Sequence, residues 1–231
     1  VEWVDTSRPR DRYQVTLATG AVNRTVAGET FPNKNFPDTT TWQTGVFLQD
    51  EFTIGRFTFL PAVRFDWYSL TANPDAAFLR SAQQGLATQV QDINDFAVSP
   101  KFGITYQIDP TYQVYGQYSR GFRAPPYDTA NFGFTNFAFG YTILPNGDLK
   151  SEYVNSFEIG ARGRYDNGSS IQFAAFYNRY KDFISTQTIG TNAQGLTVFQ
   201  YQNIGKVEIY GAEARGEWRF HPEWTLTAAA A

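Results

Sequence analysis

The chain has 231 residues, no cysteine and a formal net charge of −3, with 17% aromatic and 18% charged residues. This excludes a disulfide framework and thiolate metal sites, and with both charge signs spread along the chain it offers no basic face for nucleic acid. At a mean hydropathy of −0.39 no segment approaches the roughly 18 apolar residues of a spanning helix, although a membrane β-barrel, signalled by alternation over about ten residues, stays open.

In chain order, Val1-Glu2-Trp3-Val4 reads as a strand without a signal-peptide pattern before it, and strand-like segments follow at 42–54, 57–70, 95–108, 112–123, 152–165, 169–185, 199–220 and 224–231. Alternation is regular within them. Phe96, Val98, Phe102, Ile104, Tyr106 and Ile108 share one face, with Ala97, Ser99, Lys101, Thr105 and Gln107 on the other. Likewise Phe157, Ile159, Ala161 and Tyr165 oppose Glu158, Arg162 and Arg164, and Tyr210, Ala212, Ala214, Trp218 and Phe220 oppose Glu213, Arg215, Glu217 and Arg219. The last run breaks off inside a strand pattern at Leu226-Thr227-Ala228, so an internal piece of a larger domain is expected.

The links alternate in length. Gly55-Arg56, Asp109-Pro110-Thr111, Asp166-Asn167-Gly168 and His221-Pro222-Glu223 are short, whereas 7–41, 71–94, 124–151 and 186–198 are long. A soluble sandwich also alternates apolar and polar faces, but Greek-key wiring has no reason to keep this rhythm. An up-and-down barrel in an outer membrane does, with trimmed turns at one end and elaborated loops at the other. Phe52, Phe57, Phe59, Tyr106, Tyr112, Tyr165 and Trp224 lie near the short turns, where an interfacial aromatic girdle belongs. The fold class expected is all-β: an antiparallel up-and-down transmembrane β-barrel, of which residues 1–231 supply about nine strands.

The long link 124–151 carries the most specific wording. Gly121-Phe122-Arg123-Ala124-Pro125-Pro126 resembles the FRAP box of TonB-dependent haem and haemoglobin receptors, the haemoglobin/transferrin/lactoferrin type. Pro145-Asn146-Gly147-Asp148-Leu149-Lys150-Ser151-Glu152 resembles their NPDL box, with Gly147 where the family usually has Pro. Phe47-Leu48-Gln49-Asp50-Glu51 upstream, and Phe176 to Ile184 and Gln200 to Glu213 downstream, fit the same family in the same order. The resemblance implies a larger barrel closed around an N-terminal plug, with plug and TonB-contacting segment outside residues 1–231. It further implies bacterial outer-membrane localisation, contact with membrane lipid and with TonB, and uptake of haem or haem from haem-proteins as a transported ligand, not a permanent cofactor.

Many such receptors carry a His between the boxes; here the single His is His221, in a short turn at the opposite end. Haem iron also accepts a Tyr oxygen. Tyr141 is therefore the candidate axial ligand, with Tyr127 second and Phe137 and Phe139 as candidate stacking partners, beside Phe132 and Phe134. Phe122, Arg123, Ala124, Pro125, Asn146, Asp148 and Leu149 form the candidate loop anchor. Arg123 suits a haem propionate, but a tie to Asp148 or Glu152 at the loop base is favoured. No catalytic constellation or phosphate-cradling glycine loop is present, so an enzyme is not expected. A ferric-siderophore receptor is the first alternative; a passive porin-like channel or a soluble β-rich binding protein are the others.

Overall fold

The structure, a computed structural model, describes residues 1–26, 28–81 and 90–231. Part of the expected long link 71–94, residues 82–89, lies outside the described residues.

Strand β1 (Glu2–Thr6) is followed by two small hairpins, β2 (Gln14–Val15) with β3 (Val22–Asn23) and β4 (Thr25–Val26) with β5 (Glu29–Thr30). Then come β6 (Asp38–Gln49), β7 (Phe52–Ile54), β8 (Phe57–Asn73), helix α1 (Ala76–Ser81), β9 (Ile93–Gln107) and β10 (Tyr112–Arg123). Within the next link lie helix α2 (Tyr127–Ala130), β11 (Phe134–Asn136) and β12 (Tyr141–Leu144). The chain continues through β13 (Glu152–Arg164), β14 (Ser170–Thr191), β15 (Thr197–His221) and β16 (Trp224–Ala230).

The sheet runs β1-β6-β8-β9-β10-β13-β14-β15, and β16 adds beside β15. Every one of these pairings is antiparallel between neighbours in the walk, as an up-and-down barrel wall requires. Among the described residues β1 and β16 are its two edges, so the wall is an open arc. The expected segment 42–54 is split because Asp50 donates to the Pro61 carbonyl (3.0 Å) and Pro61 has no N–H to return. The short turns follow their sequences. Asp109 Oδ1 accepts from the backbone N–H groups of Thr111 and Tyr112, both at 2.8 Å, and Gly168 closes its hairpin at φ 83°.

Register assigns the faces. Phe65 pairs Val98, Trp67 pairs Phe96, Tyr118 pairs Phe157, and Phe157 pairs Tyr177, giving a continuous apolar outer face. Arg64, Asp66, Lys101, Gln117, Glu158, Arg162 and Glu213 lie on the other face, with Arg64 Nη2 2.7 Å from Asp66 Oδ1. The apolar face is uncovered: Trp67 is 42% exposed, Phe157 49% and Ile159 66%. Such an area suits a lipid boundary and not water. Near the short turns Phe57 meets Tyr106 in a tilted contact (4.7 Å), Phe52 stacks on Phe59 (5.2 Å), and the Tyr112 and Tyr165 hydroxyls meet at 2.9 Å. Among the described residues no helix is long and apolar enough to cross a membrane.

Buried apolar side chains sit elsewhere. Phe31, Leu70, Phe78, Ala97, Ala130, Leu149 and Val198 are all at the long-link end, where loops pack against the wall. One expected long link is corrected there. Residues 186–198 are not a loop: β14 and β15 stay paired to Thr191↔Thr197, leaving a turn at 192–196 capped by Asn192 Oδ1, which accepts from Gln194 N (3.0 Å) and Leu196 N (2.9 Å).

Candidate functional site: the mouth of the barrel

Arg123 and Glu152 are register partners where β10 and β13 leave the sheet. Arg123 Nη1 donates to Glu152 Oε2 (3.2 Å), and Glu152 Oε1 accepts the Ile184 N–H (2.7 Å). The Glu152 side chain is only 7% exposed and that of Arg123 66%, so the carboxylate is the fixed half of the pair. Asp148, the other partner considered for Arg123, is exposed and instead receives a turn, its N–H donating to Asn146 Oδ1 (3.0 Å).

From this base the chain crosses the inward face in both directions. Toward one side, the Pro125 carbonyl accepts the Tyr68 hydroxyl (3.4 Å), which places the FRAP-like segment over β9 against β8. Asn131, fully buried, exchanges two hydrogen bonds with the Gln91 backbone, both at 2.9 Å. The Gln91 side chain also occupies the space that a Cβ at Gly147 would need. A larger residue at 147 would only require the exposed Gln91 side chain to swing away.

Toward the other side, the segment around Asn146 docks on β15. Asn146 Nδ2 donates to the Tyr201 carbonyl (2.7 Å) and Gln200 Nε2 to the Pro145 carbonyl (2.8 Å). Asn203 clamps both backbone groups of Lys150 at 2.8 Å and also donates to the Asp182 carbonyl (2.6 Å). Strand β12 then pairs in parallel with β15, Tyr141↔Thr197 to Leu144↔Gln200. The link 124–151 therefore spans the inward side from β8 to β15.

The link between β1 and β6 packs on it. Gly133 N donates to the Asn35 carbonyl (2.7 Å), and Phe36 meets Tyr127 edge-on at 5.2 Å. Arg10 lies 5.3 Å from the Phe134 ring and 5.5 Å from that of Phe31, held by Asn35 Oδ1 and Glu29 Oε2. Lys34, its side chain 5% exposed, donates to Asp38 (2.6 Å), Asp75 (2.9 Å) and Ser7 (3.1 Å).

Burial opposes the Lys34 charge most strongly, but the hydrogen bonds and charges of Asp38 and Asp75 outweigh it and hold the amine above its ordinary value. For Asp75 burial is likewise the largest influence, yet the Phe78 N–H and Lys34 pull it below the usual carboxylate range. The raised amine stabilises the fold below about pH 10 and loses this as pH rises through its higher folded value. The lowered carboxylate stabilises it above about pH 4 and loses this as pH falls through its lower folded value. Hydrogen exchange at 31–38, corrected for intrinsic rate, is thus expected to be flat from about pH 5 to 9 and to accelerate below about pH 3.5. Acceleration already at pH 5 would remove Asp75 from this role.

The four aromatic ligand candidates are not gathered into one pocket. Tyr141 lies with Phe134 and Phe199, both at 6.0 Å, on one face of the β11–β12–β15 patch. Phe137 lines a groove of about 200 Å³ with Thr142, Leu144, Leu196 and Val198, which alternation puts on the opposite face. Phe139 is 80% exposed at the tip. Tyr127 lines a separate groove of about 200 Å³ with Val4, Thr41, Tyr68 and Pro126. Each groove is below the roughly 300 Å³ at which small-molecule sites begin. Alternation along β15 carries Phe199 and Tyr201 onto the same side as Glu213 and Arg215, so Tyr141 faces inward, as does Tyr127, whose groove is walled by the inward-facing Thr41 and Tyr68. His221 is at the opposite end, its Nδ1 accepting from Glu223 N (3.3 Å).

Residues 3–231 match the family model described as TonB dependent receptor-like, beta-barrel. The chain belongs to that family. It is a wall segment of an outer-membrane receptor barrel, and its relatives are receptors and transporters rather than enzymes. A rhizobactin receptor of Rhizobium meliloti is 32% identical over 180 residues, covering 69% of this chain and 22% of the relative. An iron-regulated outer membrane virulence protein of Vibrio cholerae is 32% identical over 123 residues (50% and 19%). A probable hemoglobin and hemoglobin-haptoglobin-binding protein of Haemophilus influenzae is 26% identical over 164 residues (66% and 16%). The chain thus spans about a fifth of the length of these relatives. The Serratia marcescens hemophore receptor HasR, solved with its hemophore and heme, shares the fold at TM-score 0.64 and 15% identity, covering 79% of this chain and 32% of that one.

Several residues that organise this receptor mouth were not singled out by the sequence. Asn131, Asn203, Lys34 and Tyr68 act across separations of 40, 53, 41 and 57 positions, where no local spacing reports them. For Asn203 a signal existed: the polar run Gln200-Tyr201-Gln202-Asn203 has no apolar face for a lipid-facing strand.

Proposed function

We propose that the full receptor takes up haem, free or from a haem-protein, captured by the long loops at this mouth. The observation that carries the reading is the link 124–151, laid over the inward face and presenting Tyr141 between Phe134 and Phe199. A phenol oxygen flanked by two edge-on rings suits a ferric porphyrin, which needs one oxygen ligand and apolar walls. The hemoglobin-binding relatives and the likeness to a heme-complexed receptor support the same choice. In this reading TonB, acting through a plug outside residues 1–231, supplies the force that opens the conduit, and the barrel performs no chemistry on its cargo.

The rhizobactin receptor covers the larger share of the chain among these relatives, and it supports a ferric siderophore as the second reading. Haem titration of the full-length receptor separates the two. A tyrosinate-ligated ferric spectrum is expected with the native chain, and Tyr141→Phe is expected to abolish that band and weaken haem at least about tenfold. An unchanged spectrum in Tyr141→Phe, lost instead in Tyr127→Phe, would move the ligand to Tyr127. No spectral change at micromolar haem, with saturable ferric-siderophore binding, would replace haem altogether.

A further inference from the structure

The outward face carries a feature that a uniform lipid boundary does not require. On β10, β13, β14 and β15 the register aligns Tyr118, Phe157, Tyr177 and Tyr210 in one row. The next outward-facing row toward the long loops is Arg120, Asn155, Arg179 and Glu208, and the one after it Phe122, Tyr153, Lys181 and Lys206. Four cations and one carboxylate thus crowd the outer surface of four strands in a chain of net charge −3. The corresponding face of β6, β8 and β9 carries Trp42, Thr40, Ser69, Thr71 and Asn94, with no cation.

All four cations are exposed. Arg120 lies over the Tyr153 ring, its guanidinium carbon 4.5 Å from the centroid. Lys181 is 3.8 Å from Asp182 and Arg179 faces Glu208 across the β14–β15 rung, while among the described residues no close ion pair is formed by Arg120, Arg179 or Lys206. Lys181 and Lys206 are direct cross-strand partners, a like-charge arrangement that Asp182 offsets at Lys181 and that an anion seated between the two would offset further. Arg120 and Arg179, on either side of Asn155, are about 10 Å apart by strand spacing, within reach of one phosphorylated headgroup. Tyr112 to Arg120 takes nine residues, the roughly 9–11 needed to cross the hydrocarbon. The cations therefore lie at the headgroup level of the leaflet on the long-loop side, with the aromatic row beneath them against acyl chain.

We infer that Arg120, Arg179, Lys181 and Lys206 form a binding site for the phosphate groups of the outer-leaflet glycolipid, seated on the aromatic row as its acyl contact. This rests on the outward face being the lipid face, and is independent of which cargo the receptor carries. The test uses the full-length receptor in detergent, with native mass spectrometry of retained lipid and titration with purified phosphorylated glycolipid. R120Q/R179Q/K206Q is expected to bind it on the order of 100-fold more weakly, about fivefold per cation, while R120K/R179K keeps most of the affinity. Cargo binding and the heat-modifiable gel mobility of the folded barrel, read alongside, are expected to be unchanged. Equal retention by native and triple-variant receptors would overturn the site. Preference for phosphatidylglycerol, or full displacement by millimolar inorganic phosphate, would overturn its assignment to the glycolipid.

Discussion

Gly160→Val is expected to prevent this wall from closing its ladder. Gly160 sits on the inward face of β13 between Tyr115 and Ala174. A Cβ there would lie 2.5 Å from the Tyr115 ring and 2.6 Å from the Phe173 carbonyl, and a backbone oxygen within a ladder does not step aside. The Tyr115 ring is itself pinned, its hydroxyl donating to Glu158 (2.8 Å) and the Arg162 guanidinium lying 4.5 Å from its centroid. Overpacking against fixed neighbours costs about 3 kcal/mol or more, enough to lower the folded fraction severely in a marginally stable barrel. Gly205→Ala, with nothing within 4 Å of its Cβ position, is the matched control and should be near neutral. Heat-modifiable mobility and the urea midpoint of the full-length receptor measure both. A native-like midpoint for Gly160→Val would mean the ring and carbonyl yield more than the ladder geometry allows.

The second large effect is expected at Asn203. One amide group there serves three backbone partners, the Lys150 N–H and carbonyl and the Asp182 carbonyl. Asn203→Leu keeps the volume and removes all three bonds, worth about 1 kcal/mol each or about 3 kcal/mol together. The loss falls on the attachment of the link 124–151 to β15 and, locally, on the tie from β15 to the Asp182 carbonyl of β14, away from the rungs at Phe173–Tyr177. Hydrogen exchange should accelerate at Lys150 and the neighbouring link while amides along Phe173–Tyr177 stay protected. Uniform acceleration across β14 would show that the clamp supports the wall itself.

The nine wall strands were legible because a bilayer enforces period two: one face must be apolar and the other polar, and Phe96 to Ile108 or Phe157 to Tyr165 obey it residue by residue. Beyond the bilayer that constraint ends. Thr186 to Thr191 are mostly polar with no strict period-two apolar face, so residues 186–198 read as a loop although β14 and β15 stay paired there, across a register shift between Thr188 and Gly190. The boxes around Arg123 and Asn146 marked the two feet of the link, and the structure sets Arg123 against Glu152 there. What lies between the feet depended on Asn131, Asn203 and Lys34, whose partners are brought near only by folding. The separation of Tyr141 from Phe137 was hidden for another reason: β11 and β12 are strands, so residues close in sequence take opposite sides.

The parallel seat of β12 on β15 decides how the mouth responds to traction. A pull on the tip near Phe139 draws β11 and β12 the same way, because both strands leave one turn, so the bonds between them are little loaded. The same tug loads Tyr141 to Leu144 against Thr197 to Gln200 lengthwise, so those bonds bear it together in shear and fail only as a group. Tyr141, on the first of those rungs, therefore stays fastened to the wall under a load on the tip.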